Sequence, residues 1–146
     1  REGRASLAVN AMKQIVMSLT YFDRVKLILF DSQVRHVTEW TRTSDENKDN
    51  LYNWIDSQYD AYGGTNFIDP LMNALNSFSS VPSSCTKVIL FLTDGIATNF
   101  VESDYSSIQS NAQSNNVIIF TYGLGSNADS TVTRRIACEN LRVITI

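Results

Sequence analysis

The sequence predicts an α/β protein, in which a doubly wound, mostly parallel sheet is flanked by helices. The first observation is the unbroken apolar run from Val88 to Leu92, which is typical of a strand buried on both faces of a parallel sheet. The second is the alternation of such runs with stretches of helical periodicity, which is the pattern of βαβ units. With 146 residues, 43% of them apolar and 18% charged, the chain has the size and composition of one folded domain, taken as residues 1–146.

Ten elements follow from the apolar patterns. Helices are expected where apolar residues recur every three or four positions, and strands where β-branched and aromatic residues run together. Every strand is expected to be parallel except the short second one, whose alternating pattern after the Asp31-Ser32 turn is typical of an edge strand in a hairpin. The expected helices cover 4–21, 44–57, 67–78, 102–115 and 129–139, and the expected strands cover 24–30, 33–39, 87–93, 117–122 and 142–146.

Single residues refine this outline. Ser44 is expected to be the N-cap of the second helix, and Asn115-Asn116 is expected to end the fourth. Phe22 continues the apolar face of the first helix, and Trp54 is assigned to the core rather than to a recognition surface. The only histidine, His36, has no second histidine or cysteine near it in sequence, so it is assigned to the surface rather than to a metal or a catalytic site.

Charge and cysteine spacing exclude several functional classes. The net charge is −3 and no cluster of Lys and Arg stands out, which argues against nucleic-acid binding. No apolar run approaches the ~20 residues of a membrane span. Cys85 and Cys138 are not spaced as a zinc pair or a redox motif. In a reducing compartment they would be buried small hydrophobes, and in a secreted protein they would be oxidised, either to each other or to cysteines outside this chain.

Two loops carry the residues of greatest chemical interest. Gly63-Gly64-Thr65-Asn66 immediately precedes the third helix, and Asp94-Gly95 immediately follows the central strand. Because ligands bind beyond the carboxyl ends of parallel strands, Thr65 and Asp94 are expected to meet there although 29 positions separate them. The loops after Phe30 and Tyr122 are expected at the same edge. The alternative is that Thr65 or Asn66 only caps the third helix, and that Asp94 only caps its own loop.

These residues resemble the von Willebrand factor A domain over the whole chain. The resemblance rests on Gly63-Gly64-Thr65-Asn66, on Phe91-Leu92-Thr93-Asp94-Gly95, and on Asp23-Arg24-Val25 at the start of a strand. It implies a metal-ion-dependent adhesion site built from three loops, in which Thr65 and Asp94 are the ligands from the second and third. The first loop, Asp-x-Ser-x-Ser, does not occur in the chain. The first central strand is therefore expected to be missing too, and its place is expected between 24–30 and 88–92.

The resemblance also implies a function. Hydroxyl and carboxylate ligands suit Mg²⁺, Ca²⁺ or Mn²⁺, and a cation neutralised by one carboxylate leaves a position for an acidic group of a protein partner. Gly63, Gly64, Asn66 and Gly95 would shape the loops around it. The domain would act outside the cell or at its surface, within a larger membrane-anchored or secreted protein. Within the family, the chain resembles the alpha-two-delta auxiliary subunits of voltage-gated calcium channels and related Cache-containing proteins. This finer resemblance would make the partner a membrane channel or an extracellular protein. This finer likeness rests on Cys85-Thr86-Lys87 and Ala137-Cys138-Glu139-Asn140.

Two other functions compete with adhesion. An aspartate at a strand end of an α/β fold could serve a metal-dependent hydrolase or a phosphotransfer enzyme. The chain contains no G-x-x-x-x-G-K-[ST], no G-x-S-x-G and no G-x-G-x-x-G, so it is predicted not to be an enzyme. The other alternative is a structural spacer whose metal site is vestigial. Turnover of a phosphoester would favour the enzyme, and partner binding that ignores a chelator would favour the spacer.

Overall fold

The computed structural model describes residues 2–58, 64–82, 84–125 and 128–140. The chain divides into two compact units, Arg1–Gly63 and Gly64–Ile146. The helices are α1 Glu2–Ser18, α2 Asp45–Ser57, α3 Ile68–Ser77, α4 Glu102–Asn115 and α5 Ser130–Glu139, with a 3₁₀ turn at Phe78–Ser80. The strands are β1 Arg24–Val25, β2 Ile28–Phe30, β3 Val34–Val37, β4 Thr41–Arg42, β5 Lys87–Thr93 and β6 Val117–Gly123.

The first unit packs α1 and α2 around a small apolar core. β2 and β3 form an antiparallel hairpin, which confirms the hairpin predicted around the Asp31-Ser32 turn. β1 pairs with β4, also antiparallel. Ser44 caps α2 as predicted, since its hydroxyl oxygen accepts a hydrogen bond from the Asn47 N–H at 3.4 Å. The buried core of this unit is formed by Val16, Leu27, Leu51 and Ile55, and Trp54 packs against it, which confirms its assignment to the core.

The single strand predicted over 24–30 is wrong, because the segment forms two short strands with a break between them. At the break, the Leu27 N–H donates to the Thr38 hydroxyl at 2.9 Å, where a regular ladder would offer a backbone carbonyl. The Thr38 N–H returns a bond to the Leu27 carbonyl at 3.0 Å. Both ladders of this unit are antiparallel, so the parallel pairing predicted for 24–30 is not formed by the described residues, and β4 was not predicted.

The first helix ends three residues before the predicted boundary. Beyond Ser18, the Asp23 carboxylate accepts hydrogen bonds from the Thr20 N–H at 2.7 Å and from the Thr20 hydroxyl at 2.8 Å, which stabilises a turn instead of another helical turn. Phe22 was predicted on the apolar face, but its side chain is 86% exposed. The turn carries Phe22 off the helical face, whereas Val16, in the last turns of α1, is fully buried.

The second unit is built on β5 and β6, which are parallel and in register from Lys87 opposite Val117 to Thr93 opposite Gly123. The parallel pairing and both strands were predicted, and the bounds of α4 match the prediction. Asn116 ends α4 in the left-handed conformation, with φ 59°, as its position suggested. The core consists of Phe67, Leu71, Leu75, Phe78, Ile89, Phe91, Tyr105, Ile108, Ala112, Val117, Ile119 and Ile136.

Burial of β5 on both faces was predicted and is wrong. Ile89 and Phe91 are buried, at 8% and 4% exposure, whereas Val88 and Leu90 on the opposite face are 39% and 38% exposed. Side chains alternate between faces along a strand, so an unbroken apolar run does not by itself show that both faces are covered. One face of β5 is therefore fully covered by the described residues, and the other only in part.

The cysteine expectations also need correction. Cys85, in the bend before β5, and Cys138, near the end of α5, are both free and exposed. They are therefore not buried hydrophobes, and no disulfide joins them in this structure. Oxidation to a cysteine outside the chain stays a prediction. Gly63 and the strand predicted over 142–146 lie outside the described residues.

Two smaller expectations concern the surface. His36 is exposed on β3, which confirms its assignment to the surface. None of the helices in the described part of the chain is both long and apolar enough to cross a membrane.

Candidate metal site

The Thr65 loop and the loop that follows β5 lie side by side. Thr65 pairs with Ala97 in an isolated parallel bridge. The Thr65 carbonyl oxygen accepts two hydrogen bonds from Thr98, one from the backbone N–H at 2.9 Å and one from the hydroxyl at 3.0 Å. These bonds join two segments more than thirty positions apart in the chain, so the two loops that the sequence analysis singled out are in direct contact.

The Thr65 side chain rests on Gly95. A Cβ atom built on Gly95 would lie 2.3 Å from the Thr65 Oγ1 and 3.1 Å from its Cβ. Real Cβ atoms essentially never approach another heavy atom within 3.0 Å, so the hydroxyl of Thr65 occupies the space that any other residue at position 95 would need. Gly95 is therefore required for this close approach, and Thr65 presents its hydroxyl beside the residue that follows Asp94.

Asp94 directly follows β5, and its side chain is exposed. Its carboxylate makes no hydrogen bond or ion pair within the described part of the chain. The backbone on either side is held: Thr93 is buried, and its hydroxyl oxygen accepts a hydrogen bond from the Gly95 N–H at 3.2 Å. The loop thus fixes the position of Asp94 while leaving its carboxylate available to a ligand.

The loop that follows β6 lies against the same turn. The Leu124 N–H donates to the Thr93 carbonyl at 2.7 Å, and the Asp129 N–H donates to the Gly95 carbonyl at 3.1 Å. The Asp129 side chain is already engaged as the N-cap of α5, because it accepts the Val132 N–H at 3.0 Å. Asp129 therefore fixes the Gly95 turn through its backbone, and the carboxylate left open at this edge is that of Asp94.

The helix-cap alternative holds for Asn66 but not for Thr65. The Asn66 side chain accepts the Asp69 N–H at 3.2 Å and donates to the Asp69 carboxylate at 2.7 Å, across the first turn of α3. Thr65 makes no such bond, and its hydroxyl lies on Gly95 instead. A Cβ on Gly64 would lie 3.3 Å from two atoms of the Thr98 side chain. The contact at Gly64 is therefore tight, but less so than the 2.3 Å contact at Gly95.

The loop after Phe30, which was also predicted at the site edge, carries a carboxylate that is already paired. Asp31 is 6% exposed, and it accepts hydrogen bonds from the Arg35 Nε at 2.8 Å and from the Gln33 N–H at 3.2 Å. The ion pair holds this carboxylate within the β2–β3 hairpin.

The donors at the two joined loops suit a hard divalent cation. The Thr65 hydroxyl and the Asp94 carboxylate are oxygen ligands of the kind that Mg²⁺, Ca²⁺ and Mn²⁺ prefer. Within residues 2–58, 64–82, 84–125 and 128–140, no three His, Cys, Asp or Glu side chains cluster as a metal site. The two donors therefore fit the second and third positions of the site that the resemblance implies, and their role as ligands stays a prediction.

Thr98 was not predicted as a residue of the site. It lies in a stretch that was assigned to a loop without further distinction, and its hydroxyl partner is a backbone carbonyl, which leaves no trace in the sequence. A turn with Asn99 in the left-handed conformation, φ 57°, follows it. A polar residue four positions after Asp94 was the only available signal.

A sequence model of the von Willebrand factor type A domain matches residues 1–146, the entire chain. The chain belongs to this family. Two solved structures share the fold of this von Willebrand factor A domain. A von Willebrand factor type A protein from Catenulispora acidiphila superposes with a TM-score of 0.82 at 21% identity, over 94% of this chain and 32% of that chain. An aerotolerance-related membrane protein from Bacteroides fragilis superposes with a TM-score of 0.73 at 16% identity, over 94% of this chain and 77% of that chain.

These likenesses confirm the predicted α/β fold of the von Willebrand factor A domain. The chain spans about a third of the length of the Catenulispora protein. Identities of 21% and 16% establish the fold alone. No curated protein matches the sequence. Domains of this family are generally protein-interaction modules without catalytic activity, which agrees with the predicted class of function.

Proposed function

We propose that this domain binds a protein partner through a divalent cation held by Thr65 and Asp94. The observation that carries the proposal is the exposed Asp94 carboxylate, which has no partner in the described part of the chain and lies in a turn joined to the Thr65 loop. An aspartate that only capped its own loop would accept a hydrogen bond from a nearby backbone N–H. Asp94 accepts none, which favours an external ligand.

The charge of the site determines the chemistry of the partner. Thr65 is neutral and Asp94 brings one negative charge, so a bound Mg²⁺, Ca²⁺ or Mn²⁺ would keep excess positive charge. Such a cation attracts an anionic oxygen, and an acidic side chain of a protein supplies one. The partner is accordingly a protein that presents a carboxylate, from Asp or Glu, to this edge of the β5–β6 sheet.

The setting of the domain is part of the proposal. Cation-dependent adhesion is useful outside the cell or at its surface, in a larger membrane-anchored or secreted protein. The sequence likeness to the alpha-two-delta subunits of calcium channels, carried by Cys85-Thr86-Lys87 and Ala137-Cys138-Glu139-Asn140, points to a channel as one partner. The Bacteroides neighbour is a membrane protein, which is compatible with a membrane-anchored setting.

The experiment measures cation binding and cation-dependent partner binding together. Mg²⁺, Ca²⁺ and Mn²⁺ are titrated into wild type, Asp94→Ala and Thr65→Ala by calorimetry. The same proteins are applied to a peptide array in which each glutamate peptide is paired with its glutamine counterpart, in Mg²⁺ and in EDTA. We expect Asp94→Ala to abolish cation binding, because Asp94 carries the charge of the two proposed ligands. Thr65→Ala should weaken it less, because water can replace a neutral hydroxyl.

Asp49→Ala is the matched control, since Asp49 is an exposed carboxylate in the middle of α2 with no partner in the described part of the chain. It should leave cation binding unchanged. Asp94→Ala and Asp49→Ala should unfold within about 0.5 kcal/mol of wild type, as substitutions of exposed residues usually do. Peptide binding that survives both EDTA and Asp94→Ala would replace this proposal with the spacer function. Turnover of a phosphoester that Asp94→Ala abolishes would replace it with the enzyme.

A further inference from the structure

Thr98 contacts the Thr65 loop through both its backbone and its side chain. Its backbone N–H and its hydroxyl both donate to the Thr65 carbonyl oxygen, at 2.9 Å and 3.0 Å. Its Cγ2 and Oγ1 both lie 3.3 Å from the position of a Cβ on Gly64. One side chain therefore covers two consecutive residues of the facing loop, and the lack of a side chain on Gly64 makes room for it.

We infer that Thr98 is a positioning residue, which fixes the Thr65 hydroxyl beside Asp94 and thereby sets the affinity for the divalent cation. This inference rests on the proposed function. Thr98 itself is no ligand in this scheme, because its hydroxyl is directed to a backbone carbonyl. Its role is to hold the backbone of Thr65, from which the ligand hydroxyl extends.

The contacts of Thr65 explain why such an anchor matters. The Thr65 side chain itself lies against Gly95, which offers no side chain to hold it. The contact with Gly95 prevents the hydroxyl from moving closer, but a steric contact does not prevent it from moving away. The two bonds from Thr98 act on the Thr65 carbonyl, so they hold the backbone from which the hydroxyl extends, and the side-chain bond of this pair depends on Thr98.

The hydrogen bond from the Thr98 hydroxyl is exposed to solvent, so its loss should affect cation affinity more than the stability of the fold. Water can satisfy the Thr65 carbonyl after substitution, so the stability of the fold should hardly change. Water cannot anchor one loop to the other, so the position of Thr65 should become less well defined. Groups that orient metal ligands from outside typically affect affinity about 10- to 100-fold. We expect about tenfold here, since the backbone N–H bond from residue 98 is retained.

The experiment compares Thr98→Val, which removes the hydroxyl and preserves the shape, with Thr98→Ser, which retains it. Affinity for Mg²⁺ and Mn²⁺ is measured by calorimetry. Amide hydrogen exchange of residues 64–67 and 94–99 is measured separately in the cation-free protein. Thr86→Val is the matched control, because Thr86 is exposed and precedes β5, at the opposite end of the strand from Asp94.

Thr98→Val should bind both cations about tenfold more weakly and exchange faster in both segments before any cation is added. Thr98→Ser and Thr86→Val should match wild type in both measurements. If wild type binds the cation and Thr98→Val binds it equally well, or if Thr98→Ser is as weak as Thr98→Val, this inference is wrong and the proposed function stands. If wild type binds neither Mg²⁺ nor Mn²⁺, the proposed function fails, and this inference fails with it.

Discussion

Substitution of Gly95 by alanine tests the contact on which the candidate site depends, without any reference to a cation. The new Cβ would lie 2.3 Å from the Thr65 Oγ1. Non-bonded heavy atoms pack best at ~3.5–4.0 Å, so the hydroxyl would have to retreat by roughly 1 Å. Thr65 is β-branched and stiff about χ1, and its carbonyl is held by Thr98, so a rotation alone relieves little of the overlap.

The expected cost follows from these constraints. Forcing additional atoms into a packed contact typically costs about 1–3 kcal/mol. A glycine-to-alanine change also stabilises by about 0.4–1 kcal/mol through the unfolded chain, where the native backbone allows it. Gly95→Ala should therefore lower the free energy of unfolding by about 1–2 kcal/mol net. In a Thr65→Ala background the 2.3 Å contact is gone and the nearest remaining atom, the Cβ of residue 65, lies at 3.1 Å.

The assay is a double-mutant cycle in urea at 25 °C with wild type, Gly95→Ala, Thr65→Ala and the double variant. In the Thr65→Ala background, Gly95→Ala should be close to neutral, which gives a coupling energy of at least about 1 kcal/mol. Gly64→Ala is the control on the facing loop, where the closest atoms are at 3.3 Å, and it should cost less than Gly95→Ala. Equal costs of Gly95→Ala in the two backgrounds would refute the contact between Gly95 and Thr65.

Three further predictions concern the second unit. Asn116 is left-handed, so Asn116→Ala should be about 1 kcal/mol less stable than Asn116→Gly, which loses the same side chain but tolerates this conformation; urea unfolding measures the difference, and equal stabilities would contradict the prediction. Hydrogen bonds from Arg135 lower the pKa of Glu102 below its ordinary 4.5, so the stability that these bonds contribute is present above that pH and is lost as the pH falls. The difference in stability between wild type and Glu102→Gln should therefore shrink on acidification, and a constant difference would contradict this. Since Cys85 and Cys138 are free and exposed, Cys138→Ser should not change maleimide labelling of Cys85 in the chain; labelling that requires reductant would contradict this.

Elements whose signal is local were predicted well. The bounds of β5 and α4 match their predictions, and α2 is within one residue, because an apolar period and an N-cap are properties of neighbouring residues. The left-handed Asn116 follows from the same kind of signal. The meeting of the Thr65 and Asp94 loops was also predictable, since it requires only that a parallel strand and a following helix share one edge of the sheet.

The failures depend on particular side-chain hydrogen bonds, some between near neighbours and some between parts of the chain that are distant in sequence. The break between β1 and β2 arises where the Thr38 hydroxyl replaces a backbone acceptor eleven positions away from Leu27. Phe22 leaves the helical face because the Thr20–Asp23 bonds end α1 early. Thr98 contacts Thr65 across 33 positions. Propensity and hydrophobic period do not specify which side-chain oxygen pairs with which hydrogen-bonding group, so these bonds could not be foreseen from the pattern of residue types alone.

The hydrogen bonds around Asp94 fix the backbone of the loops and leave two side-chain oxygens without a partner in the described part of the chain. Gly95 is held on one side by the Asp129 N–H on its carbonyl and on the other by the hydroxyl of Thr93 on its own N–H. The facing loop is held by Thr98, whose N–H and hydroxyl donate to the Thr65 carbonyl. Each of these hydrogen bonds therefore has a backbone atom as at least one partner. The side-chain oxygens of Thr65 and Asp94 do not hold the loops together, because neither side chain forms a hydrogen bond within the described residues. The loops therefore keep their shape without engaging the Thr65 hydroxyl or the Asp94 carboxylate, which leaves both oxygens available to a ligand.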